Sequence, residues 1–239
     1  YLLHEPWWHI RRPAPLLGQH NEEIRRGTGD GGQGTGAREQ ESKTERPPPL
    51  QQVSSLKSQV SSSQPLTPNT QPPAPRPLEG VRVADFSWVW AGPYCTMHLA
   101  HLGAEVIKIE SRARLDLMRR LPIAPRGIKA GVDTSGPFNQ WNQGKKSFQV
   151  NLEKAEGKAL VKELIQHCDV VIENFATGVM DELGLSYDEL KKLKPDLIMV
   201  SISGYGHTGP NKNYMGYGPA IPALTGLSML SGYPGGPPQ

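Results

Sequence analysis

The stretch VRVADFSWVWAGPYCTMHLAHLGAEVIKIE, residues 81–110, contains the pattern that decides the fold. It opens with β-branched and aromatic residues, Val81–Ser87, which predict a buried strand. A helix is expected next, because Pro93 suits a first helical turn and Gly103 suits a helix end. The run Ala104–Glu110 predicts a second strand. A strand, a helix and a strand in this order form a βαβ unit, which implies parallel pairing and a right-handed crossover.

The same alternation continues along the chain. Strands are predicted at Lys146–Leu152, at Asp169–Phe175 and in DLIMVSISG, residues 196–204. Helices are predicted at residues 155–168 and 186–195, the second with Ser186 as its N-cap. We therefore expect an α/β fold with a Rossmann-like, mostly parallel sheet and flanking helices.

Ligands of such sheets bind beyond the carboxyl ends of the strands. Four loops lie there in this sequence: Ser87–Pro93, Glu110–Arg120, Asn174–Gly178 and Gly204–Pro210.

Residues 26–76 differ from the rest of the chain. They consist mainly of Gly, Ser, Gln, Pro, Glu and Lys, and they contain no aromatic residue. Such a segment buries too little apolar surface to offset the entropy of ordering it, so we predict a disordered linker.

The bulk properties exclude several classes of protein. A net charge of +3 with both signs scattered argues against a nucleic-acid partner. No apolar run reaches membrane-spanning length. The two cysteines, Cys95 and Cys168, lie in apolar runs and are expected to be buried core thiols in a reducing compartment. A soluble, cytoplasmic protein is the expectation.

One motif is misleading. GYGHTG, residues 204–209, matches the dinucleotide fingerprint G-x-G-x-x-G, but that fingerprint needs a helix that begins at its third glycine. Pro210 and turn-forming residues follow instead, so we interpret these glycines as turn residues. The histidines show no metal-ligand spacing, and no metal is expected.

Four ordered blocks resemble the class III CoA-transferases, the family of formyl-CoA and carnitine-CoA transferases that also includes α-methylacyl-CoA racemases. They are PLEGVRVADFSWVWAGPYCTMHLAHLGAEVIKIE, GKKSFQVNLEKAEGKALVKELIQHCDVVIENF, LGLSYDELKKLKPDLIMVSISGYGHTGP and MGYGPAIPALTGLSMLSGYPGGPP. The resemblance implies that residues 77–239 are the N-terminal part of a CoA-transferase domain, an incomplete half of the family fold.

A shorter stretch near the start, PWWHIRRPAPLLGQHNEEI (residues 6–24), resembles the closing residues of the same family. It implies that residues 1–25 are the C-terminal tail of a preceding transferase unit. With the linker at residues 26–76, the chain would be a fragment of a tandem protein.

The resemblance also implies a chemistry. In the family, an aspartate attacks the acyl-CoA thioester and forms a mixed anhydride, and CoA moves to an acceptor carboxylic acid. That aspartate is expected after Gln239, so no catalytic residue is assigned to this chain. Neither Asp85 nor Asp116 matches its position, and Asp85 is expected to cap the turn after the first strand. Family members form an interlocked dimer, which implies a homodimer or intramolecular pairing of tandem units.

The residues that the resemblance assigns to CoA binding follow the predicted strands. They are Val89, Trp90, Ser111, Val150, Asn151, Leu152, Glu153, Asn174, Phe175, Ala176, Glu182, Tyr214, Met215, Gly216 and Tyr217. Relatives often carry arginine at three of these positions, here Ser111, Ala176 and Glu182. Six basic residues are candidates to compensate, although each also fits a solvated basic face: Arg112, Arg114, Arg119, Arg120, Lys145 and Lys146.

Two alternatives stay open. A racemase of the same superfamily needs a histidine near Tyr217, where this chain has MGYGPA, so a transferase is favoured. A non-catalytic unit that binds CoA or supports a dimer is the other alternative.

Overall fold

The computed structural model describes residues 13–27, 76–124 and 126–237, which all belong to one compact unit. Most of the predicted linker and residues 1–12 of the predicted tail lie outside the described residues. Arg26 and Gly27 are the last residues of a helix that begins at Asn21.

Five strands form one parallel sheet in the order β3-β2-β1-β4-β5. The strands are β1 (Arg82–Asp85), β2 (Glu105–Glu110), β3 (Lys146–Gln149), β4 (Val170–Glu173) and β5 (Ile198–Ser201). The helices are α1 (Asn21–Gly27), α2 (Ala91–His101), α3 (Leu117–Arg120), α4 (Gly136–Trp141), α5 (Ala155–Gln166), α6 (Val179–Glu182), α7 (Tyr187–Leu193) and α8 (Ala220–Leu224), followed by a 3-10 turn at Leu227–Leu230.

The predicted α/β fold is confirmed, and each predicted strand is present with shorter bounds. Ser186 caps α7 as predicted, since its hydroxyl accepts a hydrogen bond from the amide of Glu189. Five short helices, α1, α3, α4, α6 and α8, were not predicted from apolar periodicity, because none is long enough to show a helical period. Among the described residues, no helix is long and apolar enough to cross a membrane.

The sheet separates two apolar clusters. The larger one includes Phe86, Phe148 and Leu164 and contains Cys168. Burial raises the pKa of the Cys168 thiol to about 12, which makes it an unreactive core residue. Cys95 is only partly buried, so the prediction of two buried thiols holds for Cys168 alone.

The segment at residues 13–27 covers the edge strand β3. The amide of His20 donates to the carbonyl of Ser147 at 3.1 Å, and the amide of Ser147 donates to His20 Nδ1 at 3.1 Å. The side chain of Asn21 bonds both the amide (2.7 Å) and the carbonyl (3.1 Å) of Gln149. These contacts satisfy backbone groups that a bare edge strand would expose.

Two further contacts hold this segment. Ile24 of α1 is buried in the larger apolar cluster. The carbonyl of Pro15 accepts a hydrogen bond from Arg119 at 3.0 Å. The segment is therefore bound to α3 as well as to β3.

The opposite edge of the sheet is more open. Ile198 in β5 is 58% exposed, and Val200 is also exposed. Apolar sheet surface is thus left uncovered at this edge by the described residues.

A buried ion pair lies beneath the carboxyl end of β1. Asp85 Oδ1 accepts from the amide of Ser87 at 2.9 Å, so the predicted turn cap is confirmed. Asp85 Oδ2 accepts from Thr96 Oγ1 at 2.7 Å and from Lys145 Nζ at 3.0 Å. Lys145 also donates to the carbonyl of Pro93 and to Asn142 Oδ1.

Lys145 is fully buried, so both sequence-based interpretations of it, as a phosphate ligand or as part of a solvated basic face, are wrong. Burial lowers the pKa of Lys145 to about 8, although Asp85 opposes this shift. For Asp85, burial acts to raise the pKa, but Lys145 and Lys108 outweigh it and lower the pKa below its ordinary value.

We predict that Asn21→Ala in the full-length protein lowers the free energy of unfolding by about 1–2 kcal/mol, because two backbone groups of Gln149 lose their partner. Urea unfolding measures the change. Glu22→Gln on the exposed side of α1 is the matched control and should change stability by only a few tenths of a kcal/mol. Equal effects of the two substitutions would show that the hydrogen bonds of Asn21 to Gln149 contribute nothing to stability.

Lys145→Met should destabilise the fold by about 3–5 kcal/mol, because it leaves the buried Asp85 carboxylate without its nearest cation. The double variant Asp85→Asn/Lys145→Met removes both charges and should be more stable than Lys145→Met alone. Chemical unfolding gives the free energy of unfolding of the wild type, the two single variants and the double variant. Strictly additive losses would contradict a coupled pair.

Stability should also depend on pH through Lys145. Its pKa is about 8 in the folded protein against an ordinary value of 10.5. Between these values the unfolded chain retains a proton that the native state has released, so the free energy of unfolding gained from this group rises as pH increases. The expected result is that the wild type gains stability relative to Asp85→Asn/Lys145→Met from pH 8 to 10.5. Parallel pH profiles would refute it.

Candidate functional site

The strand order reverses between β1 and β4, which places the loops after these two strands side by side at the carboxyl edge. The Asn174 side chain joins the loops. It donates to the carbonyl of Trp88 at 2.8 Å and accepts from the amide of Trp88 at 2.7 Å. The rings of Trp88 and Phe175 meet edge to face at 5.7 Å.

Val89 occupies a rare backbone conformation in this loop. Its φ is 66°, in the left-handed region that a β-branched residue seldom adopts. The amide of Val89 donates to Asp116 Oδ1 at 3.1 Å, and Lys108 Nζ donates to the carbonyl of Ser87 at 2.6 Å. Together with Asn174, these side chains fix the backbone of three consecutive residues.

The support beneath the loop is ionic. Lys108 and Asp116 are both buried, with Nζ and Oδ2 3.3 Å apart. Burial acts to lower the pKa of Lys108, but Asp116, Asp85 and Glu110 outweigh it and raise the pKa, so Lys108 stays charged. Sequence reasoning missed both residues as parts of the site. The available signal was a lysine within the apolar strand EVIKIE.

The start of α2 packs tightly against the same loop. A Cβ on Gly92 would clash with the Ser87 side chain and would lie 3.2 Å from Cγ of Asn174. Only glycine lets the helix approach this closely.

Aromatic side chains form an exposed surface beside Val89. Trp90 is 58% exposed and stacks on Trp141 with ring centroids 5.0 Å apart and an interplanar angle of 26°. Tyr94 meets Trp141 edge to face at 5.3 Å. This surface suits a planar ring or an apolar group.

The predicted basic loop after β2 divides into two groups. Arg112, Arg114 and Arg120 are exposed, and Arg114 lies 5.9 Å from the centre of the Trp88 ring. Arg119 is buried: it bonds both carboxylate oxygens of Glu110 at 2.9 Å.

Arg119 and Lys146, like Lys145, were proposed to compensate for the missing arginines. Both are already paired with carboxylates, so they are not available to bind a phosphate. Arg119 also pairs with Asp133 and packs on Phe138. Lys146 pairs with Glu23 and Glu105. The interpretation of Arg119 as a phosphate ligand or a solvated residue is wrong, because it is buried and its donors are already taken by two carboxylates and by the carbonyls of Pro15 and Val132.

The remaining predicted site residues also lie at or near the carboxyl edge. Val150 follows β3 and bonds the carbonyl of Glu110 through its amide at 2.8 Å. The other predicted site residues differ in exposure. Ser111, Asn151, Leu152, Asn174 and Phe175 are partly exposed, and Glu153, Ala176, Glu182, Tyr214, Met215, Gly216 and Tyr217 are exposed.

The loop at residues 214–217 is connected to the loop after β4. Thr177 Oγ1 donates to the carbonyl of Lys212 at 2.8 Å, and the rings of Tyr205 and Tyr214 meet at 5.7 Å. A Cβ on Gly204 would collide with the backbone of Gly216, so GYGHTG begins with a close backbone contact. The next helix begins only at Ala220, which agrees with the interpretation of this motif as turns.

The arrangement offers exposed aromatic rings, arginine side chains and a fixed backbone loop around one edge of the sheet. This combination suits an extended ligand that has a ring at one end and anionic groups. Within residues 13–27, 76–124 and 126–237, no cluster of three or more His, Cys, Asp or Glu residues is arranged to hold a metal ion.

Comparison with known proteins gives a consistent result. A 42% identical relative is succinyl-CoA–D-citramalate CoA-transferase of Chloroflexus aurantiacus, matched over 69% of this chain and 40% of the relative. The mouse succinyl-CoA:glutarate CoA-transferase is 41% identical over 68% of this chain and 36% of its own length. Among solved structures, a CAIB/BAIF family protein from Brucella suis superposes with a TM-score of 0.62 at 38% identity, covering 69% of this chain and 43% of that one.

This chain thus spans less than half the length of these relatives. The model of CoA-transferase family III matches residues 78–239, which is more than half of the chain. The chain therefore belongs to CoA-transferase family III.

Proposed function

We propose that the full-length protein moves CoA between an acyl-CoA and a carboxylic acid, and that this chain supplies the cradle for the nucleotide end of CoA. The observation that supports this most strongly is the fixed loop Ser87–Trp90 at the switch point of the sheet, in a chain of CoA-transferase family III. No metal is needed for the transfer.

The cradle combines groups that suit the parts of CoA. Trp90 offers a ring face for adenine, and the exposed Arg112 and Arg114 offer charge-assisted hydrogen bonds to phosphates. Glu182 is exposed on α6 and would repel a phosphate, so we place the phosphates on the side of the Ser111–Arg120 loop.

The reaction explains why a firm cradle is useful. An aspartate carboxylate attacks the thioester carbonyl; a C–O bond forms, the C–S bond breaks, and CoA leaves as a thiolate. The acceptor carboxylate then displaces the donor acid from the anhydride, and the same thiolate attacks the acceptor acyl carbon, so that a new C–S bond forms and the aspartate carboxylate is released. CoA therefore has to stay bound after its bond to the donor acyl group is broken.

The attacking aspartate is proposed to follow Gln239. Asp85 and Asp116 are poor candidates, because both are buried and paired with lysines. A carboxylate held in this way is directed at its cation instead of at a substrate.

We further propose the tandem organisation that the sequence predicts: a tail of a preceding unit (1–25), a linker (26–76) and a second unit (77–239), with the helix of the tail extending to Gly27. The protein would be cytoplasmic, with no nucleic-acid or membrane partner. It would act as a homodimer or through pairing of its two units. The family match at residues 78–239 and the docking of α1 on β3 support this division.

Incubation of the full-length protein with an acyl-CoA and hydroxylamine tests the proposal. A hydroxamate on an aspartate that follows Gln239, detected by mass spectrometry, is the expected product of trapping the activated carboxyl group. The reaction without acyl-CoA is the control and should give no modification.

Other results would favour the alternatives. Exchange of the α-proton of the acyl group with deuterated solvent, without hydroxamate, would identify a racemase. Binding of CoA with neither reaction would identify a non-catalytic unit. Absence of CoA binding would refute the cradle itself.

A further inference from the structure

We propose that Asp116 is a positioning residue for the CoA site: it holds Val89 in its left-handed conformation and thereby fixes the loop that carries Trp90. This inference rests on the proposed function, because CoA is taken as the ligand of the loop.

The starting point is the strain at Val89. Its φ of 66° brings the Cβ of a branched side chain close to the backbone, and such a conformation persists only where surrounding contacts enforce it. Residues of this kind cluster at ligand-binding sites. A change to a negative φ, with α2 held in place, would relieve the strain and would turn the peptide plane that carries the Val89 N–H and the Trp88 carbonyl.

The contacts around the loop differ in what they control. Lys108 holds the carbonyl of Ser87, and Asn174 holds both backbone groups of Trp88. Asp116 is the partner of the strained residue itself, since its Oδ1 accepts the Val89 N–H at 3.1 Å. Because the Val89 N–H and the Trp88 carbonyl belong to one peptide plane, turning that plane would break this hydrogen bond together with the one that Asn174 donates to the Trp88 carbonyl.

Asp116 is itself firmly held. It caps α3 by accepting the amide of Met118 at 2.9 Å, and its second oxygen lies 3.3 Å from Lys108 Nζ. That second oxygen is buried and makes no hydrogen bond within the described residues. Oδ2 is therefore held by the ion pair with Lys108, and Oδ1 accepts hydrogen bonds from the amides of both Met118 and Val89.

The consequence concerns the exposed aromatic surface. Trp90 follows Val89 directly and stacks on Trp141. A change of φ at Val89 would alter the path of the loop between Trp88 and Trp90. Asp116 thus acts on CoA binding through the loop, without touching the ligand.

A double-mutant cycle in the full-length protein tests this role, with the dissociation constant of CoA measured by calorimetry. Asp116→Ala should weaken CoA binding at least tenfold, because Val89 is free to relax. Val89→Gly should restore most of that loss in the Asp116→Ala background, to within about threefold of Val89→Gly alone, since glycine adopts a positive φ without strain. Asp196→Ala, at an exposed site, is the matched control.

A conservative variant separates positioning from simple charge pairing. Asp116→Asn keeps an oxygen that can accept the Val89 N–H and removes the charge. It is placed in the Lys108→Met background, because the new amide NH2 would otherwise face Lys108 Nζ, which lies 3.3 Å from Asp116 Oδ2. A positioning role predicts that Asp116→Asn/Lys108→Met binds CoA within about threefold of Lys108→Met alone. A loss of affinity equal to that of Asp116→Ala/Lys108→Met would overturn the proposal, because an oxygen in the same place would then not hold the loop.

A crystal structure supplies a readout that does not depend on CoA. In Asp116→Ala, the φ of Val89 is expected to become negative; in Asp116→Ala/Val89→Gly, φ at position 89 should stay positive. If Asp116→Ala does not fold, Asp116→Ala/Lys108→Met removes both buried charges and carries the same expectation.

The outcomes distinguish the two proposals. A wild-type protein that ignores CoA, with φ changing as expected, would refute the CoA site but not the role of Asp116 in the loop. A wild type that binds CoA with unchanged affinity in Asp116→Ala, or an affinity loss that Val89→Gly does not repair, would refute the positioning role.

Discussion

The buried charges beneath the first strand are the constraint on which the site depends. Lys108, Lys145, Asp85 and Asp116 are all buried, and each lysine is paired with an aspartate. Taking ions out of water is costly, and only well-placed partners offset that cost. The partners come from β1, β2, the loop before α3 and the segment before β3, so these charges are satisfied only when all four are in place. The geometry of the loop at Ser87–Trp90 is consequently tied to completion of the fold.

The architecture was readable from the sequence because apolar periodicity and glycine or proline boundaries are local signals. VRVADF and EVIKIE predict neighbouring buried strands, and the intervening helix forces them to run parallel. The docking of His20 and Asn21 on β3 has no such signal, since it depends on contacts between residues more than a hundred positions apart.

The charged residues were the hardest part to predict. A run such as ESRARLDLMRR shows many basic residues but does not show which carboxylates they meet. Arg119 is enclosed by Glu110, Asp133 and Phe138, while Arg112 and Arg114 in the same run are exposed. The family resemblance assigned CoA binding to residues at the strand ends, and this role stays a prediction. The side chains that support the loop were missed, because resemblance identifies contacts with a ligand more readily than the residues behind them.

The segment at residues 13–27 and the loop at Ser87–Trp90 share one support. Arg119 holds the carbonyl of Pro15 with one end of its guanidinium group and belongs to the short helix α3. Asp116 caps that same helix and holds the amide of Val89. The segment at residues 13–27 is therefore connected to the candidate CoA site through a single turn of helix. Because packed elements of this kind shift as units, the position of the segment on β3 and the conformation of the loop are expected to be energetically coupled.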